Sequence, residues 1–269
     1  MVAETQKMVA ILGIDAAWTL NHRSGVALIR QMEGGKWQSV AVESSYDRFL
    51  GRSNRLPTGE NGAVPASDLL RVAEELAGCE VKLMVADVPL SRVPILGRRC
   101  ADNEVSRRFG RLGCSTHTPS AARPGPISMM IRDGLHECGF HLATRAKDLS
   151  GRALIETYPH PALLTLMNAA YRVPYKVGKT TNYWPNCSPT ERKANLLREL
   201  REILAALSRN ITCTEFGIPQ DSGSFSALKP IEDKIDALVC AWVGIKVLEG
   251  KAEAIGDEEG AIWLPDGQA

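Results

Sequence analysis

The sequence lacks the long apolar runs and the paired cysteines of membrane and disulfide-bonded proteins. No apolar run approaches the ~20 residues that a membrane-spanning helix requires. The seven cysteines are odd in number and include no Cys-x-x-Cys pair. This usage favours free thiols in a reducing compartment. We therefore expect a cytoplasmic protein with no membrane partner.

The chain also lacks a strong net charge, internal repeats and low-complexity linkers. Its 269 residues carry a formal charge of +1, which does not mark a globally basic nucleic-acid binder but leaves room for a local basic patch. With 44% hydrophobic residues, core material is ample. The length permits one large or two small α/β domains. The order of elements favours a single domain over residues 8–269.

Apolar runs and turn signals predict a β-meander followed by alternating helices and strands. A helix between the third and fourth strands favours a parallel crossover. Residues 91–150 are rich in Arg, Gly and Pro and are predicted to form an insertion after the fourth strand. The predicted strands are Met8–Ile14, Gly25–Arg30, Trp37–Glu43, Val81–Val85 and Ala153–Thr157, with Ala261–Leu264 as a further candidate. The predicted helices are Ser67–Ala77, Ala162–Tyr171, a helix after the Ser188–Glu191 capping box, and a last helix from Pro230 to Gly250.

Two acids lie where apolar strands end. Asp15 falls late in the first strand and Asp87 closes the fourth, where an unpaired carboxylate is costly. If these strands are parallel neighbours, both carboxylates face one crevice at the carboxyl edge of the sheet.

The last helix offers two further acids, Asp233 and Asp236, which lie three positions apart. The apolar stripe of this helix places Asp236 near its border and Asp233 almost opposite. Asp236 is therefore the stronger site candidate. The alternative for Glu232 and Asp233 is simple stabilisation of a helix N-terminus through the macrodipole.

Several carboxylates in one crevice raise one another's pKa unless a cation neutralises them. Oxygen ligands without His or Cys favour Mg²⁺ or Mn²⁺. Two such ions suit the hydrolysis of a phosphodiester.

Three motifs resemble the RNase H-like superfamily: Leu12–Thr19 (LGIDAAWT), Val85–Leu90 (VADVPL) and Asp233–Trp242 (DKIDALVCAW). The last is similar to the C-terminal helix of RuvC resolvases. The whole is most similar to domain-of-unknown-function family 429, described as predicted RNase H-fold nucleases. Further matches to that family are Arg99 and Asp102, Glu156 before Pro159, and the pair Tyr175-Lys176.

This resemblance implies a five-stranded mixed sheet of order 3-2-1-4-5 with helices on both faces. It also implies a metal-dependent nuclease that acts on nucleic acid of unspecified type. The expected metal ligands are Asp15, Asp87 and Asp236, with Asp233 and Glu156 as further catalytic acids. The expected phosphate or substrate contacts are Arg99, Lys176, Arg98 and Asp102.

Other interpretations stay open at this stage. The fold also suits an actin-like phosphotransferase or a non-catalytic module that binds nucleic acid or protein. Arg99 and Asp102 could simply pair with each other, and Glu156 with Arg152. The Cys and His residues between Cys114 and His141 suggest a zinc site, although their spacing fits no common zinc site well.

Overall fold

The computed structural model describes residues 8–18, 23–53, 65–212, 216–220 and 224–267. Within these ranges the chain builds one mixed sheet of nine strands. The strands are β1 (Val9–Asp15), β2 (Gly25–Gln31), β3 (Trp37–Glu43), β4 (Glu80–Ala86), β5 (Phe140–Leu142), β6 (Arg152–Thr157), β7 (Ile211–Thr212), β8 (Ala252–Gly256) and β9 (Ala261–Pro265).

Helices cover both faces of this sheet. Ser188 and Glu191 form the predicted capping box: the Glu191 amide donates to Ser188 Oγ, and the Ser188 amide donates to Glu191 Oε2. No helix in the described ranges is both long and apolar enough to cross a membrane. The α-helices there are α1 (Tyr46–Leu50), α2 (Ala66–Ala77), α3 (Cys100–Phe109), α4 (Pro126–Glu137), α5 (Pro159–Met167), α6 (Thr180–Tyr183), α7 (Pro189–Leu207) and α8 (Lys229–Leu248).

The sheet is larger than the five strands predicted. Its order is β7-β3-β2-β1-β4-β6-β9-β8, and β5 also pairs with β6. The predicted strands are confirmed as β1, β2, β3, β4 and β6, and the further candidate as β9. The expectation of five is wrong because β5 and β7 have only three and two residues, and β8 is too polar to stand out as an apolar run.

The central strands are apolar on both faces because each face carries its own core. On one face, Ile11, Val85 and Ile155 pack in a core that includes α8, α7 and α5. On the other, Leu12 and Met84 pack in a core that includes α1, α2 and α4. Alternation along each strand sends successive side chains to opposite cores. The buried strands therefore read as continuous apolar runs.

Helix α8 lies directly on the backbone of the first two strands. A Cβ atom at Gly13 would stand 2.2 Å from the Ala237 carbonyl oxygen, and one at Gly25 would stand 2.1 Å from the Asp233 carbonyl oxygen. Side chains at these positions would push the helix away. The two glycines therefore bring the start of α8 close to the end of β1.

The predicted insertion, residues 91–150, contains α3, α4 and β5. It is joined to the sheet, since β5 pairs in parallel with β6. The Trp263 indole N–H also donates to the Ala143 carbonyl, at 2.8 Å. Residues of the insertion, among them Thr118 and Ser120, line the same pocket as Asp15 and Asp87 at the carboxyl ends of β1 and β4.

Candidate active site

Asp15 and Asp87 lie side by side at the carboxyl ends of two parallel neighbours. Ile14 of β1 faces Ala86 of β4, and each acid follows directly in the chain. The Asp87 amide donates to the Ile14 carbonyl at 2.8 Å, which extends the pairing by one residue. Both side chains are partly exposed. The sequence-based expectation that these carboxylates share one crevice agrees with this placement.

The crevice is a cleft with two lobes. The large lobe has a volume of about 1060 Å³ and the small lobe about 180 Å³. Both lobes are lined by Trp18, Asp87, His117 and Lys176, so these four residues mark the junction. The large lobe adds two acids and three cations: Asp15, Asp233, Arg23, Arg123 and Lys229.

Asp236 is near these acids but is closed off from solvent, with 0% of its surface exposed. Its Oδ1 accepts a hydrogen bond from the Tyr175 hydroxyl at 2.5 Å. Its Oδ2 accepts one from Lys176 Nζ, also at 2.5 Å. Both carboxylate oxygens are therefore engaged within the protein.

The first turns of α8 are bound by three consecutive residues, Tyr175, Lys176 and Val177. Tyr175 and Lys176 bind Asp236 through their side chains. The Val177 amide donates to Glu232 Oε2 at 2.6 Å, and Lys176 Nζ lies 3.5 Å from Glu232 Oε1. We call these three residues the clasp. Glu232 is buried and binds two residues of the clasp, so it does more than favour the helix N-terminus.

Asp233 does not point outward as the helical projection predicted. It is 4% exposed, lines the large lobe, and lies 2.7 Å from Lys229 Nζ. The projection was wrong because it assumed a helix buried along one stripe. The close approach of Gly25 buries the first turns of α8 on a further side.

Glu156 lies beneath the small lobe, bound by Arg99. The Arg99 guanidinium donates to both Glu156 carboxylate oxygens, at 2.6 and 2.7 Å. The Leu90 amide also donates to Glu156 Oε2, at 2.7 Å. Arg99 also binds Asp102, the i, i+3 pair that the sequence left open as an alternative to substrate contact. The alternative pairing of Glu156 with Arg152 is wrong, because Arg152 binds Glu74 and Glu80.

Arg98 lies apart from the acids and binds residues of α3. Its guanidinium donates to Asn103 Oδ1 at 2.7 Å and to Ser106 Oγ at 2.6 Å. It also donates to the Asp102 carbonyl at 2.9 Å. Arg98 does not line either lobe of the cleft. The structure therefore brings Lys176, but not Arg98, to the carboxylates.

The acids at the cleft oppose one another electrostatically. Burial raises the pKa of Asp15 well above its usual range, and the charge of Asp236 raises it further. Burial raises the pKa of Asp87 to about 7, against the lowering effect of Lys176. It raises the pKa of Asp236 as well, again against Lys176. Burial would lower the pKa of Lys176, but Asp236 and the neighbouring acids outweigh it and hold that pKa well above its usual range.

Two of the three predicted metal ligands fit a hard cation. Asp15 and Asp87 offer carboxylate oxygens that face the cleft. Asp236 does not, because the clasp uses both of its oxygens. Within the ranges described, no group of three or more His, Cys, Asp or Glu is arranged to hold a metal ion. The Cys and His residues considered for zinc therefore form no such group there.

Trp18 and His117 are further candidate site residues, which the sequence indicated only as part of the LGIDAAWT motif and as one of the residues considered for zinc. Their ring centroids lie 6.3 Å apart in an edge-on arrangement at the junction of the lobes. Trp18 lies three residues after Asp15, so it could have been found as an aromatic next to a site acid. His117 comes from the insertion and carries no comparable signal.

These features define a mixed α/β protein with acids on the floor of an open cleft and cations on its walls. The chain belongs to the family described as "Protein of unknown function (DUF429)", whose model matches residues 2–260. The family predicted from the motifs is therefore confirmed. No curated protein and no solved structure gives a significant match.

Proposed function

We propose that this protein is a metal-dependent hydrolase of phosphodiester bonds in nucleic acid, built on an RNase H-like fold. The fold proposal rests on the run β3-β2-β1-β4-β6 at the centre of the sheet. This run corresponds to the 3-2-1-4-5 order that the resemblance implies. The other four strands are additions at the edges of that run.

One observation carries the functional proposal. Asp15 and Asp87 stand side by side at the carboxyl edge of the sheet, in a cleft that also holds Arg23, Arg123, Lys176 and Lys229. Acids alone favour a cation, and cations alone favour any anion. Both together suit a phosphate that reacts next to a bound divalent ion.

Asp15 and Asp87 would hold Mg²⁺ or Mn²⁺. When bound, the cation supplies positive charge and lowers the pKa of a water molecule. Hydrolysis then forms a bond from the water oxygen to phosphorus and breaks the bond from phosphorus to the ester oxygen. The phosphate keeps a hydroxyl, and the departing oxygen ends with the second proton of the water.

The chain's own residues orient the substrate. Arg23 and Arg123 bind the phosphates that flank the reacting one, since both line the large lobe. Trp18 and His117 provide aromatic surfaces for a base at the junction, as in proteins that bind single strands.

The experiment is a cleavage assay with purified protein on single-stranded, duplex, hybrid and branched nucleic acids, in Mg²⁺ or Mn²⁺. We expect cleavage that Asp15→Asn and Asp87→Asn each abolish. Asp133→Asn is the matched control, because Asp133 is exposed, pairs with Arg132 and lies outside the cleft. Absence of cleavage of every substrate, or cleavage unaffected by Asp15→Asn, would exclude the proposal.

A second candidate is a non-catalytic module that binds nucleic acid in the same cleft. The engagement of both Asp236 oxygens by the clasp favours it. It predicts saturable binding of nucleic acid that neither Mn²⁺ nor Asp87→Asn weakens. A phosphotransferase, by contrast, would show saturable nucleotide binding by calorimetry.

A further inference from the structure

The position of Lys176 limits how many metal ions this site can take. Its ammonium group lies 2.5 Å from Asp236 Oδ2 and 3.5 Å from Glu232 Oε1. It also lines both lobes beside Asp87. A fixed positive charge therefore stands at the point where the three predicted ligands converge.

The clasp holds this charge in place. Tyr175, on one side of Lys176, is fully buried and donates to Asp236. Val177, on the other side, donates through its backbone to Glu232. Lys176 therefore has little freedom to withdraw and free Asp236 as a ligand.

The local charges also limit the number of metal ions that the site can take. Asp15, Asp87 and Asp236 together carry three negative charges when ionised. Lys176, which also lies 3.5 Å from Glu232, offsets one of them, and a single divalent cation offsets the other two. Lys229 lies 2.7 Å from both Glu232 and Asp233 and offsets part of the charge of those two acids. A second divalent cation would leave a positive excess in a partly buried site, where charge is costly.

We propose that the site binds one divalent cation, held by Asp15 and Asp87, and that Lys176 supplies the positive charge of a second ion. This inference rests on the proposed function, whose chemistry it specifies. The ammonium group faces the reacting phosphate from the Asp236 side of the cleft and stabilises the negative charge that develops as the ester bond breaks. It neither gains nor loses a proton in that role.

The test counts ions and measures cleavage in the same variants of the full chain. Metal-free protein is titrated with Mn²⁺, and free Mn²⁺ is followed by electron paramagnetic resonance. Lys176→Met removes the charge and frees Oδ2 of Asp236, while Tyr175 still binds Oδ1. Lys176→Met with Asp236→Asn removes the charge without leaving a buried, unpaired carboxylate, so this variant keeps the test valid if the single substitution unfolds the chain. Lys246→Met is the control, since Lys246 is a partly buried lysine of α8 that pairs with Glu249 outside the cleft.

We expect one Mn²⁺ per chain in the wild type, two in Lys176→Met, and one in the double variant and the control. At saturating Mn²⁺ the double variant should cleave at least about 100-fold more slowly than the wild type, as after loss of one group that stabilises transition-state charge. A role for Lys176 in folding only would leave the ion count unchanged.

The inference is overturned by two ions or none in the wild type, by one ion in Lys176→Met, or by wild-type cleavage in the double variant. These outcomes are separable from failure of the proposed function. One ion in the wild type and two in Lys176→Met, without cleavage of any substrate, would exclude the hydrolase and retain the single-cation site.

Discussion

Arg99 and Glu156 form a bidentate ion pair beneath the small lobe, with N–O distances of 2.6 and 2.7 Å. Only 10% of the Arg99 side chain and 4% of the Glu156 side chain are exposed. Each residue is a site candidate by sequence, yet each is the main partner of the other. The pair joins the end of β6 to the start of α3 and so holds the insertion against the sheet.

Arg99→Met should therefore act on stability more than on chemistry. It leaves Glu156 and Asp102 buried without their cation, which costs about 3–5 kcal/mol of unfolding free energy. Urea denaturation followed by circular dichroism measures this loss. Arg107→Met is the control, because Arg107 pairs with Glu104 at the surface and its removal should leave the midpoint unchanged. A wild-type midpoint for Arg99→Met would contradict a structural role for the pair.

The raised carboxylate pKa values predict an unusual dependence of stability on pH. Between the ordinary aspartate value of 3.8 and about 7, folded Asp87 holds a proton that the unfolded chain releases. The folded state therefore loses stability as pH rises through this window. Without metal, Asp87→Asn should melt at a higher temperature than the wild type at pH 8, and the difference should shrink at pH 5.

Comparison with the wild type cancels the groups that do not interact with Asp87. Asp15, whose pKa the charge of Asp87 raises, adds to the gain in the same direction. His160 is held neutral because burial lowers its pKa well below 6.5, so it acts in the opposite direction. Both proteins contain it, and its effect cancels in the difference. Melting curves in EDTA at pH 5 and pH 8 make the measurement. An Asp87→Asn variant that is less stable than the wild type at pH 8 would contradict the raised pKa.

The contact of α8 with β1 predicts a severe effect of one methyl group. Gly13→Ala places a Cβ 2.2 Å from the Ala237 carbonyl oxygen, so the helix must move. We expect a loss of about 1–3 kcal/mol from overpacking, together with weaker Mn²⁺ binding as the acids separate. Gly97→Ala is the control, since nothing lies within 4 Å of its Cβ position. Equal melting temperatures for the two variants would contradict the close packing.

The cations that line the large lobe predict a specific change in the salt dependence of nucleic-acid binding. Loss of one contact to a single-stranded phosphate lowers the magnitude of the negative slope of log K against log salt by about 0.7. Arg123→Gln should produce that change, because Arg123 lines the large lobe. Arg198→Gln, an exposed residue of α7 outside both lobes, should leave the slope at its wild-type value. Fluorescence anisotropy of a labelled oligonucleotide at several salt concentrations measures both slopes.

The strands that build the centre of the sheet were predictable because burial on two faces makes each of them a continuous apolar run. Asp15 and Asp87 were predictable for the related reason that they interrupt or end such runs. The short edge strand β7 was not, because two residues carry no periodicity and pairing with β3 decides their conformation.

The partners of the site residues were the least predictable part. The sequence shows that Lys176 and Asp236 exist, but not that the clasp joins them across sixty positions. The projection of α8 failed for Asp233 because one-dimensional periodicity does not reveal a glycine on another strand. Such contacts depend on tertiary packing rather than on local pattern.

The contact between Gly13 and α8 also constrains how the chain acquires its fold. It joins one of the first strands to the last helix, so a very long loop must close before that surface is covered. Non-local contacts of this kind slow folding. During synthesis, this side of β1 and β2 stays uncovered until the residues of α8 have emerged from the ribosome. Docking of α8 then brings Asp233 and Asp236 close to the strand ends that carry Asp15 and Asp87.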